Sequence, residues 1–129
     1  MANNYQSGSC RLCFPAEKGE QARNIVNRII SELKDDPEYW FGCNVEIGED
    51  SVWFYEEESF NPETVATIAG ALIDELDLDE NYYPFVFSWA YTCSKPRLDE
   101  FGGGACALAK GKEPFWIDAY NAAARHFSE

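Results

Sequence analysis

From Asp35 to Ser94 the sequence contains no lysine and no arginine. Those sixty residues carry fifteen of the 23 acidic side chains: Asp35, Asp36, Glu38, Glu46, Glu49, Asp50, Glu56, Glu57, Glu58, Glu63, Asp74, Glu75, Asp77, Asp79 and Glu80. The remainder of the chain is slightly basic, so the net charge of −13 originates in this block. Such a block repels itself unless its charges are spread over solvated surface or face a positive partner. Also missing are a positively charged start followed by an apolar run, and any apolar stretch near 18 residues. The expectation is a soluble, cytosolic protein without signal peptide or membrane span.

At 129 residues, with 46% hydrophobic and 16% aromatic side chains, the chain is too apolar for a disordered acidic tail. One domain over 1–129 is expected, with 1–8 as a loose N-terminus. Five cysteines are an odd number without the spacing of a disulfide knot, and reduced core thiols are the expectation.

Ser9–Phe14 alternates in polarity as a half-buried strand does. From Glu17 to Lys34, Ala22, Ile25, Val26, Ile29, Ile30 and Leu33 form one helical stripe. Asp35-Asp36-Pro37 ends it. Cys43–Ile47 and Ser51–Glu56, around Gly48-Glu49-Asp50, read as a hairpin. Asn61 caps a second helix with Pro62 in its first turn, and Val65, Ile68, Ala69, Leu72, Ile73 and Leu76 repeat the stripe. Phe85–Cys93 is a further strand. The order βαββαβ predicts a ferredoxin-like antiparallel sheet. An addition follows: a loop over Ser94–Gly104, a strand over Ala105–Ala109 and a closing helix over Trp116–Phe127. The overall class is α+β.

Within the acidic block, Glu56-Glu57-Glu58 follow an aromatic strand, and Asp74, Glu75, Asp77, Asp79 and Glu80 crowd the C-terminal end of the second helix. A helix C-terminus is already the negative end of the helix dipole, so acids there oppose it by about 0.3–1 kcal/mol each. These eight are the candidate partner-binding residues, surrogates for phosphates against a basic nucleic-acid channel. The competing reading is a solvated surface that keeps the protein soluble.

Other constellations are weaker. Asp74, Asp77 and Asp79 resemble part of a calcium loop but lack its sixth-position glycine and twelfth-position glutamate. Cys10-x-x-Cys13 lies on a strand, which turns the two thiols to opposite faces, and no second CxxC completes a zinc set. His126 is the only histidine and has no triad around it. Gly102-Gly103-Gly104 could approach an anion, or simply allow a bend where two strands meet. Trp53, Tyr55, Trp89 and Tyr91 could form a base-stacking platform, but their strands carry glutamate where positive charge is needed. No catalysis, cofactor or metal, and no direct nucleic-acid binding, is expected.

Thr92-Cys93-Ser94-Lys95-Pro96-Arg97-Leu98-Asp99-Glu100-Phe101-Gly102-Gly103-Gly104-Ala105, followed by a strand and an aromatic-rich end, resembles the C-terminal hairpin of small proteins carried by bacteriophages and plasmids. Size and acid distribution are similar to phage-encoded inhibitors of bacterial defence, the anti-CRISPR and anti-restriction proteins, several of which mimic DNA. That resemblance implies a non-catalytic inhibitor in a bacterial host, bound to a basic nucleic-acid-binding complex, for which a CRISPR effector is the leading expectation. The alternative is a phage or plasmid assembly protein that self-associates through aromatic surface, as a homodimer for instance. An enzyme with paired carboxylates ranks last.

Overall fold

A computed structural model of the chain describes residues 4–96 and 101–127. Six strands form one antiparallel sheet: β1 (Asn4–Cys13), β2 (Asn44–Ile47), β3 (Ser51–Glu56), β4 (Phe85–Cys93), β5 (Gly102–Leu108) and β6 (Phe115–Asp118), in the order β2-β3-β1-β4-β5-β6. Three helices accompany them: α1 (Gly19–Lys34), α2 (Pro62–Glu75) and α3 (Ala119–Arg125). The fold is α+β.

The stripes read from the sequence are the buried faces of the two long helices. Ala22, Ile25, Val26 and Ile29 of α1 are buried, as are Val65, Ile68, Ala69, Leu72 and Ile73 of α2. They close on one face of the sheet over Leu12, Val52, Phe54, Phe85, Phe87, Cys106 and Leu108. Alternate side chains on each strand therefore point away from the helices, which leaves the opposite sheet face uncovered by α1 and α2. Asn61 caps α2 as its sequence predicts, its side-chain oxygen accepting from the Glu63 N–H at 3.0 Å.

Three expectations need correction. The N-terminal segment is not loose from Asn4 onward: Asn4–Gly8 pairs with Trp89–Cys93 as the first half of β1. β1 thus joins two ladders, because Gly8–Cys13 pairs with Ser51–Glu56 on its other side. Next, Gly102-Gly103-Gly104 belong to β5, not to a loop. Gly104 lies under the Trp89 ring, where a Cβ would come within 2.6 Å of it, so a residue with a side chain does not fit. Of the expected loop, Arg97, Leu98, Asp99 and Glu100 lie outside the described residues.

The third correction concerns the C-terminus. A helix was expected from Trp116, but Phe115–Asp118 forms a sixth strand on Ala107–Gly104. Asp118 then caps α3 by accepting from the Asn121 N–H at 3.0 Å. A strand directly beside β5 satisfies backbone groups that a helix begun at Trp116 would leave unpaired on that edge.

Candidate functional site

The two long helices are antiparallel, and this gives the molecule two ends of different character. Lys18 donates to the Leu76 carbonyl at 2.5 Å, and the Arg28 guanidinium grips Glu75 with bonds of 2.8 and 2.5 Å, so the start of α1 lies beside the end of α2. At the other end, residues following α1 meet the start of α2. Asn61 donates to the Trp40 carbonyl at 2.5 Å, Thr64 donates to the Phe41 carbonyl at 2.6 Å, and Tyr39 and Thr64 share a hydrogen bond of 2.8 Å. Fourteen residues of helix separate the two ends by about 20 Å.

The eight candidate acids are divided between these ends. Asp74, Glu75, Asp77, Asp79 and Glu80 gather where α2 stops, and most of them are engaged. Glu75 is held by Arg28, which lowers its pKa below the usual carboxylate value. Asp77 pairs with Lys110. Asp74 accepts from the Gly111 N–H at 3.1 Å, and Asp79 accepts from the Asn81 N–H at 2.8 Å. Charge there is opposed by bases brought in from α1 and from the turn after β5. The stability cost expected for this cluster is thereby offset.

Glu56, Glu57 and Glu58 lie at the opposite end. The Glu56 carboxylate turns back to accept from the backbone N–H groups of Glu57 and Glu58 at 2.9 and 3.1 Å. It shapes the corner leaving β3. Glu57 and Glu58 are exposed.

The fold adds to them residues that sequence reasoning did not single out. Asp35, Asp36 and Glu38 follow α1, and Glu63 sits in the first turn of α2; all four are exposed. A cleft bounded by Glu38, Trp40, Gln6 and Glu63 brings the two segments together, and the Gln6 N–H reaches the Glu58 carbonyl at 2.9 Å. Among the described residues none of these six exposed carboxylates forms an ion pair. Lys34 instead stands 4.9 Å over the Phe41 ring. The signal that could have found them is the pairing of two amphipathic stripes as an antiparallel helical hairpin, which places both inner termini at one end.

A second feature lies on the open sheet face. Trp53 and Tyr55 stack there with ring centroids 4.1 Å apart, beside a cleft that Ser7, Ser9, Glu56 and Glu57 complete. Trp89, grouped with them by sequence, points to the helix side and packs against Phe87 and Trp116. The stacking platform of four is thus split between the two faces. Cys10 and Cys13 also fall on opposite faces, the first half-buried and the second exposed, so not every thiol belongs to the core.

The third feature is the C-terminal edge. Phe115, Trp116, Ile117, Tyr120 and Phe127 remain 64, 41, 37, 77 and 89% exposed, and α3 buries none of its side chains. Among the described residues no three His, Cys, Asp or Glu side chains come together in a way that could hold a metal ion. None of the described helices is long and apolar enough to cross a membrane. No protein-family model, curated protein or solved structure matches the chain.

Proposed function

We propose that the protein is a non-catalytic binding protein whose acidic end docks into a basic nucleic-acid-binding channel and keeps DNA out of it. The target in this reading is a defence complex of a bacterial host, a CRISPR effector first, met in the cytoplasm. One observation carries it: six exposed carboxylates share one end of the molecule and none of them forms an ion pair among the described residues, while at the other end Glu75 is tied to Arg28, Asp77 to Lys110 and Asp74 to the Gly111 N–H. Unpaired like charges held together repel, and a partner rich in lysine and arginine relieves that repulsion. Surface acids needed only for solubility have no reason to segregate by end.

The ferredoxin-like reading of the first four strands belongs to the same proposal. It is supported by their side-by-side order β4-β1-β3-β2, by antiparallel neighbours throughout, and by the position of α1 after β1 and α2 after β3. In that reading β5 and β6 extend the sheet.

The test is capture of partners from a lysate containing CRISPR and other DNA-binding defence complexes, washed at low and then high salt, with duplex DNA as competitor. Reversal of Glu57, Glu58 and Glu63 to lysine is expected to abolish capture with the thermal midpoint held within a few degrees. Glu80→Lys, at the paired end, is expected to leave capture intact. Equal loss in both variants, or none in either, sinks the docking reading.

A second reading, self-association through aromatic surface, is favoured by the exposed ring set on β6 and α3. It predicts association that survives high salt, since apolar contacts are not screened as surface charges are.

A further inference from the structure

Trp53 and Tyr55 face away from α1 and α2 because Val52 and Phe54, their neighbours on β3, take the core side. Both rings are held in place. The Trp53 indole N–H donates to Ser9 Oγ at 2.8 Å, and the Tyr55 hydroxyl is bonded by Glu46. The rings stack face to face at 4.1 Å with planes 28° apart, so each covers one face of the other and the pair turns one face outward at each end. A cleft of about 550 Å³ opens against it, with Ser7 and Ser9 of β1 as its floor and Glu56 and Glu57 at its rim. Ser7 donates its hydroxyl hydrogen to the Glu57 carbonyl, which ties the floor to the rim. The Glu56 carboxylate is occupied by two backbone N–H groups. Glu57 is left as the rim carboxylate with charge to offer.

We infer that this cleft recognises a guanidinium group, the side chain of an arginine presented by a protein partner. An aromatic face attracts a cation laid over it. A guanidinium is planar, so it can stack on an outward face of the ring pair while its edge reaches the Glu57 carboxylate, and its remaining N–H groups can be accepted by Ser7 and Ser9 hydroxyl oxygens. A lysine ammonium has no plane to stack and holds its water more tightly. An uncharged base could also stack on the rings, but the nucleic acid carrying it would bring phosphates against Glu56 and Glu57. The inference deepens the docking reading, on which it rests only for the source of the arginine.

The experiment titrates N-acetyl-arginine amide, and separately N-acetyl-lysine amide, into the isotope-labelled full chain and follows tryptophan indole N–H resonances by NMR, with Trp53→Phe identifying the relevant peak. The expected result is saturable movement of the Trp53 indole and of the Ser7, Ser9 and Glu57 amides, with the lysine compound weaker by about fivefold. Glu57→Gln, at an exposed position, is expected to weaken the arginine response about threefold or more. Glu20→Gln, exposed on α1 and outside the cleft, is expected to leave it unchanged. Absence of movement overturns the inference, and so does an equal response to both compounds spread over all the acidic segments, which is general charge attraction. Because no partner is present, a localised arginine response supports the site even if lysate capture fails, and its absence overturns the site even if capture succeeds.

Discussion

Arg28 and Glu75 join the two long helices through a two-pronged ion pair with bonds of 2.8 and 2.5 Å. Arg28 also lies 3.7 Å from Glu32 one turn on, so one base serves two acids. This pair decides which end of the molecule is electrostatically settled. Arg28 beside Glu75 and Lys110 beside Asp77 both form their ion pairs at the end of α2 where the chain leaves the helix. The opposite end is left with its carboxylates unmatched among the described residues.

The first prediction concerns this pair. The bond from Arg28 holds the Glu75 carboxyl below its ordinary pKa of 4.5. A depressed carboxylate pKa favours the folded state above the unfolded value, and that contribution is lost as pH falls through the folded value. Glu75→Gln is therefore expected to lower the thermal midpoint by a few degrees at neutral pH. Both side chains are more than a third exposed, so a larger effect is not expected. The gap between parent and variant should close as the pH drops below about 4.5. A gap that widens in acid would contradict the assignment.

Tyr55 gives a prediction at the alkaline side. Its hydroxyl donates to Glu46, whose negative charge also opposes the phenolate, and the tyrosine pKa rises above its usual 10.0. A raised value favours folding below pH 10, and the benefit is lost as the pH climbs through the folded pKa. Glu46→Gln should shift one tyrosine ionisation to lower pH in an ultraviolet absorbance titration. It should also loosen the ring wall of the cleft, since Glu46 orients the phenol. No shift of any tyrosine in that variant would remove Glu46 as the cause.

The thiols separate by burial. Burial pushes Cys10 and Cys43 up to about 12, with a smaller mutual repulsion adding to Cys10, and pushes Cys106 up to about 11. The thiolate is the reactive form, so these three are expected to resist an alkylating reagent at pH 8 until denaturant is added. Cys13, exposed on the open face, should label in the native protein. Peptide mapping by mass spectrometry reads the order directly, and native labelling of Cys10 as fast as Cys13 would refute it. The same shifts favour the folded state below the ordinary thiol value of 9.0, and that benefit is lost as the pH rises through about 11 to 12.

What could be read in advance follows from where burial repeats with a period. The stripes Ala22–Leu33 and Val65–Leu76 face a core, and the residues named from spacing are buried or packed against it. Asn4–Gly8 has no such pattern. Its place in β1 comes from backbone pairing to β4, which leaves little trace in side-chain polarity. Trp116, Tyr120, Ala123, Ala124 and Phe127 have helical spacing, yet the first of them is in a strand. Asp118 carries the signal for the boundary, an N-cap residue marking where the helix begins. Proximity in sequence groups the candidate acids into two runs, Glu56–Glu58 and Asp74–Glu80. Their division into a paired and an unpaired end depends on the antiparallel packing of α1 and α2, a tertiary relation that charge spacing along the chain does not encode.

Gly8 provides a prediction about the point where the two ladders share β1. It stands opposite Glu56 on one side and Trp89 on the other, and a Cβ built on it would come within 2.6–2.8 Å of the Phe60 ring. Phe60 is wholly buried at the entrance to α2, so the ring has nowhere to retreat. Gly8→Ala is expected to lower stability by roughly 1–3 kcal/mol through overpacking. Urea denaturation should show a lower midpoint at an unchanged slope, the sign of lost stability without a change in the surface exposed. Placing the same alanine in a Phe60→Leu background should cost less, because the smaller side chain vacates the space the new methyl needs. The two substitutions touch the same volume, so their effects should couple. Strict additivity, or an alanine variant as stable as the parent, would show that the ring against Gly8 is not what excludes a side chain there.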